Sequence, residues 1–362
     1  MKHWKETAEI FGRAVRLPQT GKRAALATVI RVEGSSYRRP GARFLVEEDG
    51  ATLGSISGGC LEADVRENAL AVMREAAPRR LCYDTGADDR SVWGLGLGCS
   101  GTVELFVQPV TGAATLEAID RARELLASDR PFALCTLVGG APDTGGILVA
   151  SSEGALGGST GDSALDRALS QAVAKLDGQR ESKLHAVGPA EVFTEVLTPP
   201  PSLLLFGAGE DARPICAYAA DVGFRVSVVD HRDGLLSAER FPAAARRMAL
   251  RPEEAAGALP VGPRTYAVVL SHSFANDREW VRHLLGAGAQ HVGLLGPRAR
   301  TEEILRQIGA EGDERVFGPV GLDLGAEGPE QVALSVVAEL LAAHCAREPA
   351  HLRQKAGAIH AT

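Results

Sequence analysis

The chain has 362 residues, which predicts two or three domains of ordinary size. Hydrophobic residues make up 45% and charged residues 23%, as in globular proteins, while a net charge of −7 and 5% aromatic residues argue against nucleic-acid binding. No apolar run approaches the roughly 18 residues of a membrane span, and the N-terminal segment lacks the apolar region of a secretion signal, so we expect a cytoplasmic protein.

Glycine is the unusual feature of the composition. The chain has 41 glycines, about 11% of its residues against ~7% in typical proteins. They cluster at residues 54–59, 94–101, 139–161 and 207–209, and such clusters build tight turns or let a ligand approach the main chain. The six cysteines are expected to be reduced thiols, and none has the C-x-x-C spacing of a structural zinc site, so we predict no metal site.

Three consecutive prolines at residues 199–201 mark the clearest boundary. Prolines can continue neither a helix nor a central strand, and together they form a stiff, extended linker. We therefore divide the chain into a first domain of residues 1–197, a linker of residues 198–202, a second domain of residues 203–347 and a loose tail of residues 348–362.

Helix and strand patterns are mixed in the first domain. Trp4, Ala8, Phe11 and Val15 form one apolar stripe, which predicts an opening helix. The strands predicted after it lie at residues 24–32, 43–47, 81–85, 102–108, 131–138, 145–150 and 191–197, and the helices at residues 61–76, 115–128 and 164–177. The mixture predicts an α/β or α+β fold, and we find no internal repeat.

Strands alternate regularly with helices in the second domain. The predicted strands are residues 202–206, 225–230, 266–270 and 291–295, and the predicted helices are residues 212–222, 277–286, 300–308 and 329–346. This alternation predicts a Rossmann-like, doubly wound parallel sheet, so that the chain as a whole belongs to the α/β class.

The strongest chemical signal of the first domain is the run Gly58-Gly59-Cys60, directly before a predicted helix. Exposed N–H groups and the dipole at a helix start favour a thiolate, and the same N–H groups could bind an anion. Glu62, in the first turn of that helix, is favourable for the dipole. The alternative is a tight turn that carries a small buried cysteine.

A second glycine-flanked cysteine, Cys99, lies between Gly98 and Gly101 in a loop that leads into a strand. Two such cysteines in one domain could face a shared pocket, unless residues 94–101 form only a long turn. Arg43 belongs to a polar loop with three arginines, which could hold a phosphate or a pterin anion by charge-assisted hydrogen bonds. A solvated basic hairpin is the alternative for that loop.

The second domain contains a glycine turn directly after its first strand. Gly207 and Gly209, with Ala212 opening the next helix and Asp230 ending the next strand, match the pattern of a dinucleotide-binding turn. Fold alone does not establish function, so a Rossmann fold kept as a scaffold without nicotinamide is the alternative.

The charged residues around this turn favour different ligands. Glu210 and Asp211 disfavour a bound pyrophosphate, whereas His231 and Arg232 could favour a 2′-phosphate. His272 and Arg298 follow later strands and are predicted at the same edge of the sheet, where open parallel sheets bind their ligands. They are the further candidates for anion or substrate contacts.

Together these motifs resemble the XdhC/CoxI family. In the first domain the matching runs are Gly34-Ser35-Ser36 with Pro40-Gly41, Gly58-Gly59-Cys60-Leu61-Glu62 and Gly98-Cys99-Ser100-Gly101. In the second domain they are Phe206-Gly-Ala-Gly209, Asp230-His231-Arg232, Gly296-Pro297-Arg298 and Gly318-Pro319-Val-Gly-Leu-Asp323. They cover nearly the whole chain in the order of that family, although many members carry a histidine where this chain has Glu210-Asp211.

The resemblance implies an accessory factor for molybdenum hydroxylases such as xanthine dehydrogenase. Such a factor would bind molybdenum cofactor, support its sulfuration and deliver it to the apoenzyme, as a chaperone more than as an enzyme. Cys60 would be the leading contact to the cofactor and Cys99 the second. The full set of predicted cofactor-binding residues is Arg43, Gly58, Gly59, Cys60, Glu62, Gly98, Gly101, Gly207, Gly209, Ala212, Asp230, His272 and Arg298.

The expected partners are the apo molybdenum hydroxylase, a cysteine desulfurase-type sulfurase and a second copy of the chain in a homodimer. Two other functions stay open. One is an NAD- or NADP-dependent oxidoreductase that uses residues 207–230 with Cys60 or His272. The other is a docking protein that binds the sulfurase and the apoenzyme without holding the cofactor.

Overall fold

The computed structural model describes residues 2–34, 38–84, 101–128, 130–140, 144–175, 182–255 and 257–355. They form two compact units, His3–Pro199 and Pro200–His351, and the described residues after His351 group with the first unit. Within this described part of the chain, no helix is long and apolar enough to cross a membrane.

The first unit contains two five-stranded antiparallel sheets. The first sheet and its helix comprise β1 (Ala24–Gly34), β2 (Arg43–Glu47), β3 (Thr52–Gly54), α2 (Glu62–Glu75), β4 (Arg79–Asp84) and β5 (Gly101–Pro109). The second sheet and its helix comprise β6 (Phe132–Gly139), β7 (Ile147–Ser151), β8 (Gly154–Ser159), α4 (Ser163–Ala174), β9 (Lys183–Val187) and β10 (Ala190–Leu197). Two more helices, α1 (Lys2–Ala14) and α3 (Ala113–Ser128), share a buried core with residues of both sheets.

The two sheets have the same topology. The strand order is β3-β2-β1-β5-β4 in the first sheet and β8-β7-β6-β10-β9 in the second, so each strand has a counterpart five strands later. In both, the helix follows the third strand. The first unit is therefore an internal duplication, which corrects our expectation that the chain has no repeat. We name residues 24–109 repeat 1 and residues 132–197 repeat 2.

Strand registers align the two repeats residue by residue. Thr28 pairs with Arg43 across β2, and Thr136 pairs with Ile147 across β7. The aligned residues, repeat 1 first, are Thr28 and Thr136, Arg43 and Ile147, and Phe106 and Phe193. One buried cluster contains the aligned pairs Ile30 with Val138 and Phe106 with Phe193, so both repeats contribute the same two positions where they meet.

The second unit is a six-stranded parallel sheet with helices on both faces. Its elements are β11 (Ser202–Phe206), α5 (Ala212–Asp221), β12 (Arg225–Asp230), β13 (Arg246–Ala249), β14 (Thr265–Val269), α6 (Phe274–Gly286), β15 (His291–Leu294), α7 (Arg298–Ile308), β16 (Val316–Phe317) and α8 (Pro329–His344). The strand order is β13-β12-β11-β14-β15-β16, the order of a dinucleotide-binding Rossmann sheet. The predicted α/β fold class is confirmed.

Alternating residues of the central strand explain why this sheet is covered on both faces. Leu203 and Leu205 of β11 lie in the core that contains α5 and α8, whereas Leu204 and Phe206 lie in the core that contains α6. Strands buried on both faces read as near-continuous apolar runs, as parallel strands usually do. All strands run in one direction, so the loops after β11, β12, β14 and β15 leave from the same edge of the sheet.

Candidate functional site

The loop that presents Cys60 joins β3 to α2, and we name residues 55–61 the Cys60 loop. It begins after Gly54, whose φ is +93° and where a Cβ atom would lie 2.3 Å from the carbonyl oxygen of Arg43. Glycine is therefore required there, because any side chain would collide with β2 and strain the backbone. Cys60 itself is exposed, and a Cβ atom at Gly59 would meet nothing within 4 Å.

The carboxylate of Glu62 holds this loop together from the first turn of α2. It accepts the backbone N–H groups of Ile56, Ser57, Gly59 and Leu61 at 2.9–3.2 Å and the hydroxyls of Ser55 and Ser57. Partial burial raises the pKa of Glu62, but the hydrogen bonds, those from Ser57 foremost, outweigh it and lower the pKa to about 2. Glu62 is therefore ionised at neutral pH.

This arrangement changes the expected anion site. Four N–H groups of the loop, which we expected to face a ligand, point instead at the chain's own carboxylate. Glu62 thus fills the place of an anion, and its negative charge disfavours a second anion beside it. What the loop offers a ligand is the exposed thiol of Cys60 and the open surface over Gly59.

Repeat 2 carries an equivalent loop without the cysteine, and we name residues 159–165, which overlap the start of α4, the Asp162 loop. Asp166 of α4 accepts the Ser159 hydroxyl at 2.6 Å and the Thr160 N–H and hydroxyl at 2.9 and 2.6 Å. Those donors lie seven and six residues before the carboxylate, the same separations as from Ser55 and Ile56 to Glu62. Gly158 also matches Gly54, because a Cβ atom there would lie 2.2 Å from the carbonyl oxygen of Ile147.

The two loops differ where repeat 1 has its glycine pair and cysteine. By the carboxylate alignment, Cys60 corresponds to Ala164 and Gly58 to Asp162. Asp162 caps α4 by accepting the N–H groups of Ala164 and Leu165 at 2.8 and 3.2 Å. The start of α2 has no such side-chain cap. The sequence signal for this pairing was the serine and the carboxylate seven residues apart in both repeats.

Arg43 is buried between the two repeats. Its side chain is 4% exposed and its Nη1 donates to Oε1 of Glu195 at 3.0 Å, with a second bond from Nη2 to the same carboxylate. It also donates to the carbonyl oxygen of Gly41 at 3.0 Å and lies 4.8 Å from the centre of the Phe11 ring. The expectation that Arg43 holds an anionic ligand is not supported, because burial and Glu195 take up its charge.

The second predicted cysteine site cannot be placed. Gly98 and Cys99 lie outside the described residues. Gly101 is the first residue of β5, where it pairs with Gly34 at the end of β1. Among the described residues, no group of three or more histidine, cysteine and acidic side chains could hold a metal ion.

The remaining predicted residues meet at the carboxyl edge of the parallel sheet. Gly207 has a φ of +128°, and a Cβ atom there would lie 2.5 Å from the carbonyl oxygen of Leu270, so the turn passes close to the end of β14. A Cβ atom at Gly209 would meet only Nε2 of His272, at 3.8 Å. His272 has a φ of +59°, in the left-handed region that non-glycine residues seldom adopt.

Two further predicted residues, Ala212 and Arg298, each begin a helix that follows a strand of this sheet. Ala212 is fully buried and is the first residue of α5, which lets that helix pack close to the sheet. Arg298 is exposed in the first turn of α7, after β15. The nearby Arg300 binds the buried carboxylate of Asp277 at 2.6 Å, so its charge is already paired.

Asp230 ends β12 next to the glycine turn. Its carboxylate accepts the N–H of Ala208 at 2.8 Å and binds the guanidinium of Arg232 at 2.8–3.0 Å. Burial raises the pKa of Asp230, but the bonds from Arg232 and Ala208 outweigh it and the pKa falls to about 2. The acid is therefore ionised and anchors the turn.

Comparisons with known proteins match both units. The XdhC Rossmann domain matches residues 203–340, and the XdhC and CoxI family matches residues 17–84, which include the Cys60 loop. A crystal structure of a xanthine dehydrogenase from Bacillus halodurans is similar at a TM-score of 0.77 and 29% identity, over 94% of this chain and 96% of that chain.

Curated relatives point the same way. A probable xanthine dehydrogenase subunit of Bacillus subtilis is 32% identical over 88% of this chain and 92% of its own length. The molybdenum cofactor insertion chaperone PaoD of Escherichia coli is 35% identical over 29% of this chain and 32% of its own length. With two family models and a full-length relative in agreement, the chain belongs to the XdhC and CoxI family.

Proposed function

We propose that this chain is a maturation factor that binds molybdenum cofactor and assists its sulfuration and insertion into a xanthine dehydrogenase-type molybdenum hydroxylase. Membership of the family and the insertion chaperone among the relatives support the general role. The apo hydroxylase and a cysteine desulfurase-type sulfurase are its proposed partners, and a homodimer is the proposed assembly.

The observation that carries the cofactor site is the exposed Cys60 on a loop whose serine and carboxylate recur in repeat 2 without a cysteine. Thiolates are soft ligands that suit molybdenum and sulfur chemistry better than carboxylates do. Glu62 holds the loop in shape without contacting the cargo, and the open surface over Gly59 gives the cargo room to approach.

The charge of the loop also predicts how the cargo lies. Molybdenum cofactor carries a phosphate at one end and its metal at the other, and Glu62 repels the phosphate. The metal end therefore faces Cys60 and the phosphate lies away from Glu62. The cargo is thus held by its thiol contact and not by the amide groups at the start of α2.

The test is the cofactor content of the purified protein. The full chain is produced in a host that makes molybdenum cofactor and receives molybdate, and molybdenum and pterin are measured per chain. We expect Cys60→Ala to retain roughly tenfold less of both, as the loss of one contact of about 1.4 kcal/mol would give. Cys82→Ala is the matched control, because Cys82 is an exposed cysteine of the same unit.

Three outcomes separate the candidate functions. Loss in Cys60→Ala with retention in Cys82→Ala supports the proposal. Equal retention in both variants contradicts the role of Cys60. Absence of molybdenum and pterin from the wild-type protein, with binding to the apo hydroxylase intact, favours a docking protein without cofactor.

A nicotinamide-nucleotide-dependent oxidoreductase is the second candidate function. It is favoured by the Rossmann strand order and by the open glycine turn at Gly209 beside His272. Calorimetric titration of the full chain with the NAD and NADP couples tests it. Failure of all four nucleotides to bind would contradict it without affecting the maturation role.

A further inference from the structure

The carboxylate at the end of β12 is saturated by donors of its own unit. Oδ1 of Asp230 accepts the backbone N–H of Arg232 at 2.9 Å and Nε of Arg232 at 3.0 Å. Oδ2 accepts the N–H of Ala208 and Nη2 of Arg232, both at 2.8 Å. A carboxylate has about four lone-pair sites, and these four donors fill them. No acceptor site is left for the ribose hydroxyl that this acid binds in NAD-type sites.

At this position the guanidinium of Arg232 is partly exposed to solvent. Its Nε and Nη2 bind Asp230, so Nη1 lies on the half of the planar guanidinium that faces away from the carboxylate. The Arg232 side chain is 47% exposed. His231 lies beside it, 36% exposed, with Nδ1 3.4 Å from Oδ1 of Asp230. The ribose position of the sheet edge thus presents the Arg232 guanidinium beside the His231 ring and no free carboxylate oxygen of Asp230.

Glu210, one of the two acidic residues after the glycine turn, does not oppose an anion as strongly as the sequence suggests. Glu210 pairs with Arg213 at 2.8 Å and with Arg240 at 2.9 Å. Its charge is therefore balanced within the unit, and the surface over Gly209 stays open beside His272. A phosphate at the turn and a second phosphate at Arg232 can be held at the same edge.

We propose that the second unit binds a nucleotide whose ribose carries a phosphate monoester, with Arg232 and His231 at that phosphate and the glycine turn beside the other phosphate. The site discriminates against nucleotides with a free ribose hydroxyl, because Asp230 has no acceptor left for it. This inference goes beyond the maturation role and does not depend on Cys60.

The test compares two ligands that differ by one phosphate. The full chain is titrated calorimetrically with adenosine 2′,5′-bisphosphate and with adenosine 5′-monophosphate at one ionic strength, and NADP is compared with NAD in the same way. A charge-assisted contact to arginine predicts roughly ten- to hundredfold tighter binding of the 2′-phosphorylated member of each pair. Equal affinity, the opposite preference, or no binding of either member overturns the proposal.

Variants then locate the contact. Arg232→Ala is expected to remove most of the preference, and Arg232→Lys to keep part of it, because lysine keeps the charge without the fork. Arg306→Ala is the matched control, since Arg306 is an exposed arginine of α7 paired only locally with Glu303. A preference that survives both Arg232 variants overturns the assignment. The cofactor content of the protein is measured separately, so this proposal and the maturation role fail independently.

Discussion

The Cys60 loop of repeat 1 and the Asp162 loop of repeat 2 occupy equivalent positions but present different chemistry. Both start after a glycine that packs against the backbone of the neighbouring strand. In both, a carboxylate seven residues after a serine holds the loop by hydrogen bonds. Five consecutive positions differ, given repeat 1 first: Ile56 and Thr160, Ser57 and Gly161, Gly58 and Asp162, Gly59 and Ser163, Cys60 and Ala164. We name the carboxylate with its hydrogen bonds to the preceding loop the lock. The lock forms in both repeats, whereas the exposed thiol occurs at this position in repeat 1 alone.

A second difference between the repeats lies in the core where they meet. Arg43 of repeat 1 binds Glu195 of repeat 2, whereas the equivalent positions hold Ile147 and Gln108. Both of these residues line the same small buried cavity as Arg43. In this core, the two halves thus meet through the Arg43–Glu195 ion pair on one side and through neutral side chains on the other.

Breaking that ion pair gives the largest expected effect. Arg43→Ala leaves the Glu195 carboxylate buried and unpaired, and we expect the free energy of unfolding to fall by about 3–5 kcal/mol. Urea denaturation of the full chain, followed by circular dichroism, measures it.

The repeats themselves supply the control. Arg43→Ile with Glu195→Gln installs the residue types that the other repeat has, and a buried pair replaced by neutral side chains is often nearly neutral in stability. We expect this double variant to recover most of the loss. A double variant as unstable as Arg43→Ala would contradict the assignment of the loss to an unpaired charge.

The next prediction compares the lock of repeat 1, formed by Glu62, with the lock of repeat 2, formed by Asp166. Glu62→Gln and Asp166→Asn each weaken several hydrogen bonds to a charged acceptor, and we expect each to lower the free energy of unfolding by about 2 kcal/mol. Only Glu62→Gln should speed the reaction of Cys60 with a disulfide reagent, because it frees the loop and removes a neighbouring negative charge. Mass spectrometry of the peptide that contains Cys60 measures this rate. Equal acceleration in Asp166→Asn would show that loosening of the whole unit is responsible.

The contribution of Glu62 to the free energy of unfolding should also depend on pH. The pKa of Glu62 is about 2 in the folded chain against 4.5 for an unperturbed glutamate. A lowered pKa stabilises the fold above the unfolded value, and that contribution disappears as pH falls from about 4.5 towards 2. The stability difference between wild type and Glu62→Gln should therefore shrink over this interval. A difference that is constant down to pH 2 would show that the ionised carboxylate does not lock the loop.

The sequence predicts the second unit better than the first because parallel strands buried on both faces read as near-continuous apolar runs. β11 and β12 are found from that pattern alone. β13 is missed, since this edge strand reads Arg-Arg-Met-Ala and its residues are largely exposed. Edge strands lack the apolar signature on which the prediction depends.

The duplication and the lock are hidden from sequence for a different reason. The repeats share few short runs, such as Ala-Leu-x-Thr in β1 and β6 and Gly-Ser before the two loops, which are too little to reveal a common topology. The position of Cys60 before a helix is predictable from the sequence. That the N–H groups of the Cys60 loop donate to Glu62 is not, because the Glu62 side chain reaches back as far as Ser55, seven residues earlier. The burial of Arg43 depends on a residue 152 positions later. Contacts of these kinds follow from the folded geometry and not from local pattern.

Grafting one loop onto the other gives the smallest change in stability and the sharpest test of equivalence. The substitutions Asp162→Gly, Ser163→Gly and Ala164→Cys, made in a Cys60→Ala background, place the glycine pair and the thiol on the lock of Asp166. We expect a thiol that reacts as Cys60 does, with a loss of about 1 kcal/mol because the cap of α4 is removed. Peptide mass spectrometry and urea denaturation measure the two effects.

The single substitution Ala164→Cys separates the lock from the glycine pair. It keeps the Asp162 cap, whose bonds to the N–H groups of Ala164 and Leu165 fix the start of α4, so its thiol should react more slowly than that of the triple variant. If neither thiol reacts while Asp166 still holds the loop, the two loops are equivalent in backbone only. If the triple variant also recovers molybdenum, the lock, the glycine pair and the thiol suffice to hold the cofactor. If its thiol reacts but molybdenum is not recovered, the surroundings of the Cys60 loop in repeat 1 supply the remaining contacts.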